Sequence, residues 1–205
     1  MTMKLYTSVG PNPRVVRMFM AERGAAAELV NVDIRGGENR RAAYLQTNPA
    51  GQTPALELAD GRVISEITAI CEYLDEVTPG TSLIGATPEE RAETRMWVRR
   101  IDLHVCEPMA NGFRWSEGLP MFGDRVRCIP EAAAGLKLIA QERLAWIDGL
   151  IGGQRFICGE RLTLADFLLF GFLEFGTKIG QPFSRDLSTL PGWFDAMAAR
   201  PSVSA

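Results

Sequence analysis

The sequence predicts an α/β domain followed by an all-helical domain. Three observations carry that expectation. Strand-like and helix-like apolar patterns alternate through residues 1–77, no convincing strand follows Pro88, and Phe167 to Phe175 is an almost unbroken apolar run behind a helix-capping signal. Alternation with period two marks a half-buried strand, and recurrence near 3.6 residues marks a helix face. The expected division is a first domain at 1–77, a linker at 78–87 bounded by Thr78-Pro79-Gly80 and Ala86-Thr87-Pro88, and a helical domain at 88–205.

Met3 to Thr7 reads as a short strand. After Pro11 and Pro13, Val15, Val16, Phe19 and Met20 recur at helical spacing over Arg14 to Arg23, and Gly24 offers a stop. Leu29 to Ile34 alternates as a strand, Arg35 to Asn39 is turn-rich, and Arg40 to Gln46 is a short helix ended by Pro49. Ala55 to Leu58 and Arg62 to Ile64 flank Asp60-Gly61, a hairpin dipeptide. Ser65 is the expected N-cap of a helix from Glu66 to about Glu76. In the second domain Pro88 suits the first helical position, with Glu89 and Glu90 at the positive end, and this helix is expected to reach the region of Phe113. A further long helix is expected over Val126 to Leu150, with Pro130 near its first turn or at a kink. Thr163-Leu164-Ala165-Asp166 is a capping box with Asp in the acidic position, and only a buried helix would carry the apolar run behind it.

Composition narrows the function classes. A chain of 205 residues can bury a substantial core, and its net charge of −3 argues against nucleic acid or an anionic membrane as main partner. Cys71, Cys106, Cys128 and Cys158 have no C-x-x-C spacing, and His104 is the single histidine, so no zinc-type ligand cluster is expected. No stretch approaches the roughly 18 apolar residues of a membrane span, and the N-terminal apolar run is too short for a signal peptide. Unpaired thiols in such a chain fit a reducing cytoplasm.

The segment Asn48-Pro49-Ala50-Gly51-Gln52-Thr53-Pro54-Ala55-Leu56 is the most informative in the chain. Proline is accommodated at the first residue of a strand, and a cis bond there makes a tight corner. Such a corner leaves the main-chain N–H and C=O of Thr53 free to pair with an extended peptide. This N-P-x-G-x-x-P-A-L pattern resembles the cis-proline loop of the cytosolic glutathione transferases. Gly159-Glu160-x-Leu162-Thr163-x-Ala165-Asp166 resembles their helical domain, and Leu190-Pro191-x-Trp193 to Arg200-Pro201 their last helix. The resemblance spans nearly the whole chain. It implies a thioredoxin-like domain with a four-stranded mixed sheet, an all-α second domain, glutathione as co-substrate without a metal, and a homodimer with the helices near Pro88 and after Ser65 at its interface.

The resemblance also assigns candidate site residues. The loop Tyr6-Thr7-Ser8-Val9-Gly10-Pro11-Asn12-Pro13-Arg14 falls where the family places the donor to the glutathione sulfur. Aligned on Arg14, the usual Ser or Cys position falls on Gly10, which has no side chain. Gly10-Pro11-Asn12-Pro13 is similar to the T-P-N-G loop of a bacterial subgroup, with Gly in place of Thr, so Asn12 is the first candidate, Ser8 the second and Tyr6 the third. Glu66 and Ile67 stand where the family has an acidic or amide residue and a Ser. They imply a contact to the γ-glutamyl ammonium and a main-chain N–H for its carboxylate, at a helix N-terminus suited to anions. Thr53 and Pro54 form the pairing corner, Gln52 reaches a carboxylate, and Asn39, or Arg40 beside it, faces the glycine carboxylate. The second substrate is expected between the domains, walled by Tyr6, His104, Met109 and Phe113.

The expected activity is therefore activation of the glutathione thiol for attack on a small apolar electrophile. Glutathione-dependent disulfide or peroxide reduction is a second reading, without a protein thiol before Cys71 to share the work. A non-catalytic interaction module is a third, kept open by Gly10 and Ile67.

Overall fold

A computed structural model describes residues 2–204; Met1 and Ala205, the outer limits of the two expected domains, lie outside the described residues. The chain divides into two compact units. One runs to Ile84 and takes in the segment from Pro201, and the other is Gly85–Arg200.

The first unit is built on strands β1 (Lys4–Thr7), β2 (Glu28–Asn31), β3 (Ala55–Glu57) and β4 (Val63–Ser65), in the sheet order β2-β1-β3-β4. β1 and β2 are parallel, with Leu5 opposite Leu29, whereas β1–β3 and β3–β4 are antiparallel, with Tyr6 opposite Ala55 and Ala55 opposite Ser65. This is the four-stranded mixed sheet expected. A parallel pair needs a crossover, and helix α1 (Pro11–Arg23) supplies it. α1 buries Val15, Val16, Met18 and Phe19, and packs against α3 (Ile67–Val77), which buries Ile70, Cys71 and Leu74. Gly24, at φ 69, ends α1 in the left-handed conformation that glycine adopts without steric cost. Between β2 and β3 lie a 3-10 turn, Glu38–Arg40, and helix α2 (Ala42–Thr47).

Residues 78–84, read as linker from the sequence, are bound into the first unit. Arg23 Nε lies 2.7 Å from Asp75 Oδ1 with both side chains almost fully buried, and Arg23 also donates to the carbonyls of Asp75, Thr78 and Pro79. Asp75 in turn accepts from Leu83 N at 2.9 Å and Ser82 Oγ at 2.5 Å. A buried charge is tolerated when it is paired and hydrogen-bonded, so the two residues tie down the chain that leaves α3. At the other end of the sequence, Arg14 of α1 donates to the carbonyl of Val203 and holds the 3-10 turn Pro201–Ser204 on α1.

The second unit is helical among the described residues apart from short isolated bridges. Thr87 caps α4 (Pro88–Ile101) through a full capping box with Glu90. The single helix expected as far as Phe113 is α4, a π-helical turn at Asp102–Cys106, and α5 (Glu107–Arg114). A short helix, α6 (Leu119–Phe122), follows that the sequence reading did not anticipate. The next long helix, expected from Val126, is α7 (Ala133–Ile151): Pro130 heads a 3-10 lead-in, Pro130–Ala132, because proline has no N–H for an interior helical bond. α8 (Leu164–Lys178) is the buried helix expected, and its Thr163–Asp166 capping box is present. α9 (Leu190–Ala198) closes the unit, its N-terminus held by Asp148 of α7, which accepts from the main-chain N–H groups of Ser188, Thr189 and Leu190 at 3.0, 2.8 and 2.7 Å. Asp166 accepts from Ile157 N, Thr163 N, Thr163 Oγ1 and Trp193 Nε1 and is wholly buried; burial outweighs these donors and lifts its carboxyl to about 6.

Candidate active site

Three segments of the first unit meet around the end of β3: the β1–α1 loop, the corner at Gln52-Thr53-Pro54, and the junction of β4 with α3. The sheet register brings them together. With Tyr6 opposite Ala55, the same antiparallel register sets Ser8 opposite Thr53, and their hydroxyl oxygens lie 2.5 Å apart. With Ala55 opposite Ser65, the register sets Pro54 beside Glu66 at the head of α3.

The Thr53–Pro54 peptide is cis, as expected. Neither the N–H nor the C=O of Thr53 takes part in a main-chain hydrogen bond among the described residues. A main-chain donor and acceptor side by side are strongly polar groups, and an extended peptide is a natural partner for such an edge.

The N-terminus of α1 is poor in donors. Gly10 occupies the N-cap position at φ 122, a conformation that strains any residue with a Cβ, and no side chain caps the helix. The first turn begins Pro11-Asn12-Pro13, and neither proline has an N–H. Asn12 is half-buried, and its side chain makes no hydrogen bond among the described residues. Ser8 differs: it is 4% exposed, and its hydroxyl is shared between Thr53 Oγ1 and the carbonyl of Val9. Arg17 fixes the same loop by donating to Thr7 Oγ1 at 2.7 Å and to the carbonyl of Ser8 at 3.3 Å.

At the head of α3 the sequence expectation needs correction. Ser65 is the last residue of β4 and not the cap, because its pairing with Ala55 extends the strand that far. Glu66 takes the N-cap position, exposed and at φ 72, where it is the one residue other than glycine with positive φ among those described. Such backbone costs about 1–3 kcal/mol and clusters where ligands are held. No side chain caps α3, so the N–H groups of its first turn, starting at Ile67, keep their capacity for an anion.

Other expected site residues are placed differently. Tyr6 does not face the loop: its hydroxyl donates to Glu57 Oε2 at 2.6 Å, and Glu57 lies opposite Lys4, which draws the phenol back toward the start of β1. That carboxylate holds the Tyr6 phenol above its ordinary pKa. Asn39 is turned inward, its Nδ2 donating to the carbonyl of Gly51 at 2.5 Å, so it shapes the turn before Thr53. Arg40 and Gln52 are exposed. In the second unit Met109 is fully buried against Gly176 and cannot wall an open pocket. His104, in the π-helical turn, is half-buried with its ring 5.4 Å from that of Trp146, and Phe113 stands edge-on to Phe122 and Phe175.

Cys71 and Cys106 are fully buried, and burial pushes both thiols well up, which suits them to packing and not to nucleophilic work. Among the described residues no group of three or more His, Cys, Asp or Glu side chains is placed to hold a metal ion, and no helix is long and apolar enough to cross a membrane.

Tyr44 and Asn48 were not singled out from the sequence as site residues. Both are buried, and both donate to the carbonyl oxygen of Gln52, at 2.7 and 2.8 Å. The available signal was the Asn-Pro pair at the start of the turn, since Asn readily bonds main chain two residues on.

Comparison with known proteins agrees across both units. Residues 9–77 match the family model of the glutathione S-transferase N-terminal domain, and residues 131–201 that of the C-terminal domain. A maleylacetoacetate isomerase of Pseudomonas aeruginosa is 30% identical over 183 residues, 87% of this chain and 83% of the relative. Glutathione S-transferase 2 of Saccharomyces cerevisiae is 28% identical over 201 residues, 96% of this chain and 85% of the relative. The crystal structure of a glutathione S-transferase domain-containing protein from Marinobacter aquaeolei superposes with a TM-score of 0.92 at 34% identity, covering 98% of this chain and 99% of the other.

Proposed function

Because the chain belongs to the glutathione S-transferase family, we propose that it binds glutathione in its first unit and activates the thiol for attack on a small apolar electrophile. The observation that carries this reading is the unpaired main chain of Thr53, flanked by two helix N-termini without side-chain caps. Glutathione is an extended anionic tripeptide, and it needs an edge for its cysteinyl backbone, donors for two carboxylates and a donor for its sulfur.

Within this reading Thr53 pairs with the cysteinyl backbone. The first-turn N–H groups of α3, beginning at Ile67, hold the γ-glutamyl carboxylate, and Glu66 takes the neighbouring ammonium. Gln52 and Arg40 serve the glycine carboxylate. The Asn12 amide donates to the sulfur and favours thiolate over thiol. The thiolate then attacks the electrophilic carbon, an S–C bond forms, and the leaving group departs with the electron pair. The sulfur's proton is lost to solvent. In the same reading the protein is cytoplasmic and works as a homodimer; sedimentation at micromolar concentration tests the assembly.

The relative named as maleylacetoacetate isomerase, at 30% identity, favours a second reading in which the thiolate adds to an unsaturated substrate and is expelled again after bond rotation. Glutathione-dependent reduction in this reading draws on two glutathione thiols: Cys71, Cys106 and Cys158 are buried, and the half-buried Cys128 lies in the second unit, outside the residues assigned to glutathione. Retention on glutathione-agarose, thiol titration of the bound tripeptide and turnover with an aryl halide, a cis-enone and a peroxide separate these activities. A protein that is not retained, or a bound thiol no more acidic than free glutathione, overturns the enzymatic reading.

A further inference from the structure

We infer that Tyr44 and Asn48 are positioning residues that aim the Thr53 N–H at its ligand by gripping the carbonyl of Gln52. The inference rests on the reading that glutathione pairs at Thr53.

The Gln52 carbonyl oxygen has two lone pairs, and both are used: Tyr44 Oη donates at 2.7 Å and Asn48 Nδ2 at 2.8 Å. The peptide joining Gln52 to Thr53 is trans. In a trans peptide the C=O and the following N–H lie in one rigid plane and point in opposite directions. Holding the oxygen toward α2 therefore turns the Thr53 N–H away from α2, where no described residue receives it. Turning that N–H inward would break both bonds to the oxygen.

The grip is itself braced. Asn48 Oδ1 accepts from Ala50 N at 3.1 Å, which leaves Nδ2 as the end that faces Gln52. The carbonyl of Asn48 accepts from Gly51 N at 2.9 Å, and Asn39 holds the Gly51 carbonyl. Tyr44 is 6% exposed and Asn48 3%, and the Tyr44 ring stands edge-on to Tyr6 at 5.9 Å. Burial pushes the Tyr44 phenol up to about 12, so it keeps the proton it donates throughout the working range of the protein. None of these side chains needs to touch glutathione. Their effect is on the direction of one main-chain donor.

The test uses Tyr44→Phe, which removes the hydroxyl and keeps the ring, and Asn48→Asp, which keeps the acceptor for Ala50 and sets a carboxylate against the Gln52 oxygen. Glutathione affinity is measured by titration calorimetry, and the Thr53 amide resonance is followed during the same titration. The expected result is a Kd raised roughly fivefold by Tyr44→Phe, the loss of one ordinary hydrogen bond, and more by Asn48→Asp. The Thr53 shift should shrink in step, while the pKa of the bound thiol and turnover at saturating glutathione stay at wild-type values. Wild-type protein that binds glutathione while Tyr44→Phe binds it equally well overturns the clamp and leaves the functional reading standing. Weaker binding with an unchanged Thr53 shift also overturns the clamp. Wild-type protein that does not bind glutathione overturns the functional reading and the clamp with it. If Asn48→Asp does not fold, judged by thermal melting, Tyr44→Phe decides.

Discussion

Asn12→Ala should raise the pKa of the thiol of bound glutathione by about one to two pH units. The size follows from how few donors the loop has. Gly10 has no side chain, and Pro11 and Pro13 have no N–H, so the cap and first turn of α1 offer only the main-chain N–H groups of Gly10 and Asn12. The Ser8 hydroxyl is already shared between Thr53 Oγ1 and the Val9 carbonyl. The Asn12 amide makes no hydrogen bond among the described residues, and alanine deletes it while leaving both main-chain N–H groups in place. One hydrogen bond to a charged group is worth about 1.5–3 kcal/mol, and about 1.4 kcal/mol corresponds to one unit of pKa. A thiol with pKa above the working pH then loses roughly tenfold or more of its thiolate at neutral pH, with the loss shrinking as pH rises. The assay is the ultraviolet absorbance of bound thiolate against pH, beside the pH dependence of kcat/KM. Ser8→Ala is the control and should leave the thiol pKa in place, because it removes a partner of Thr53 and not of sulfur. A bound thiol whose pKa is unchanged in Asn12→Ala, or is raised more by Ser8→Ala, refutes the assignment.

Gly10→Ser should not improve the enzyme although it restores the hydroxyl the family places there: at φ 122 a Cβ costs about 1–3 kcal/mol, to be read as a lower denaturation midpoint with no fall in thiol pKa. Glu66→Gly should relieve the strain at φ 72 and raise the urea midpoint by about 1 kcal/mol of stability, while the KM for glutathione rises because the contact to the ammonium is lost. Asp166 gives a pH signature. Its carboxyl is held at about 6 in the fold against 3.8 ordinarily, so the folded chain binds the proton more tightly than the unfolded one. The stability this gives is fully present below the unfolded value and lost as pH rises through 6. The difference amounts to about 3 kcal/mol. Asp166→Asn should remove that slope, so the stability of wild type minus variant, from denaturation curves at several pH values, should fall between about pH 4 and pH 7. A flat difference counts against a raised Asp166.

Local chemistry made much of the fold legible. Gly24 stops α1, Asp60-Gly61 turns the hairpin, Pro88 opens α4, and Thr163 with Asp166 caps α8, each through contacts within a few residues. The errors arose where a distant partner chose between two local possibilities. Ser65 is a good cap by type, but pairing with Ala55 keeps it in β4 and passes the cap position to Glu66. Tyr6 lies on a strand beside the loop, and only Glu57, reached through the β1–β3 pairing, decides which way its hydroxyl leans. Met109 sits at a helical spacing that suits a pocket wall or a core equally well, and its packing on Gly176 makes it core. The register of β1 against β3 was the missing quantity for the site. Once Tyr6 is set opposite Ala55, stepping two residues along each strand sets Ser8 opposite Thr53, and a buried hydroxyl facing another hydroxyl will bond to it. That step commits Ser8 to holding the corner, and the sulfur contact then falls to the Asn12 amide, which makes no hydrogen bond among the described residues.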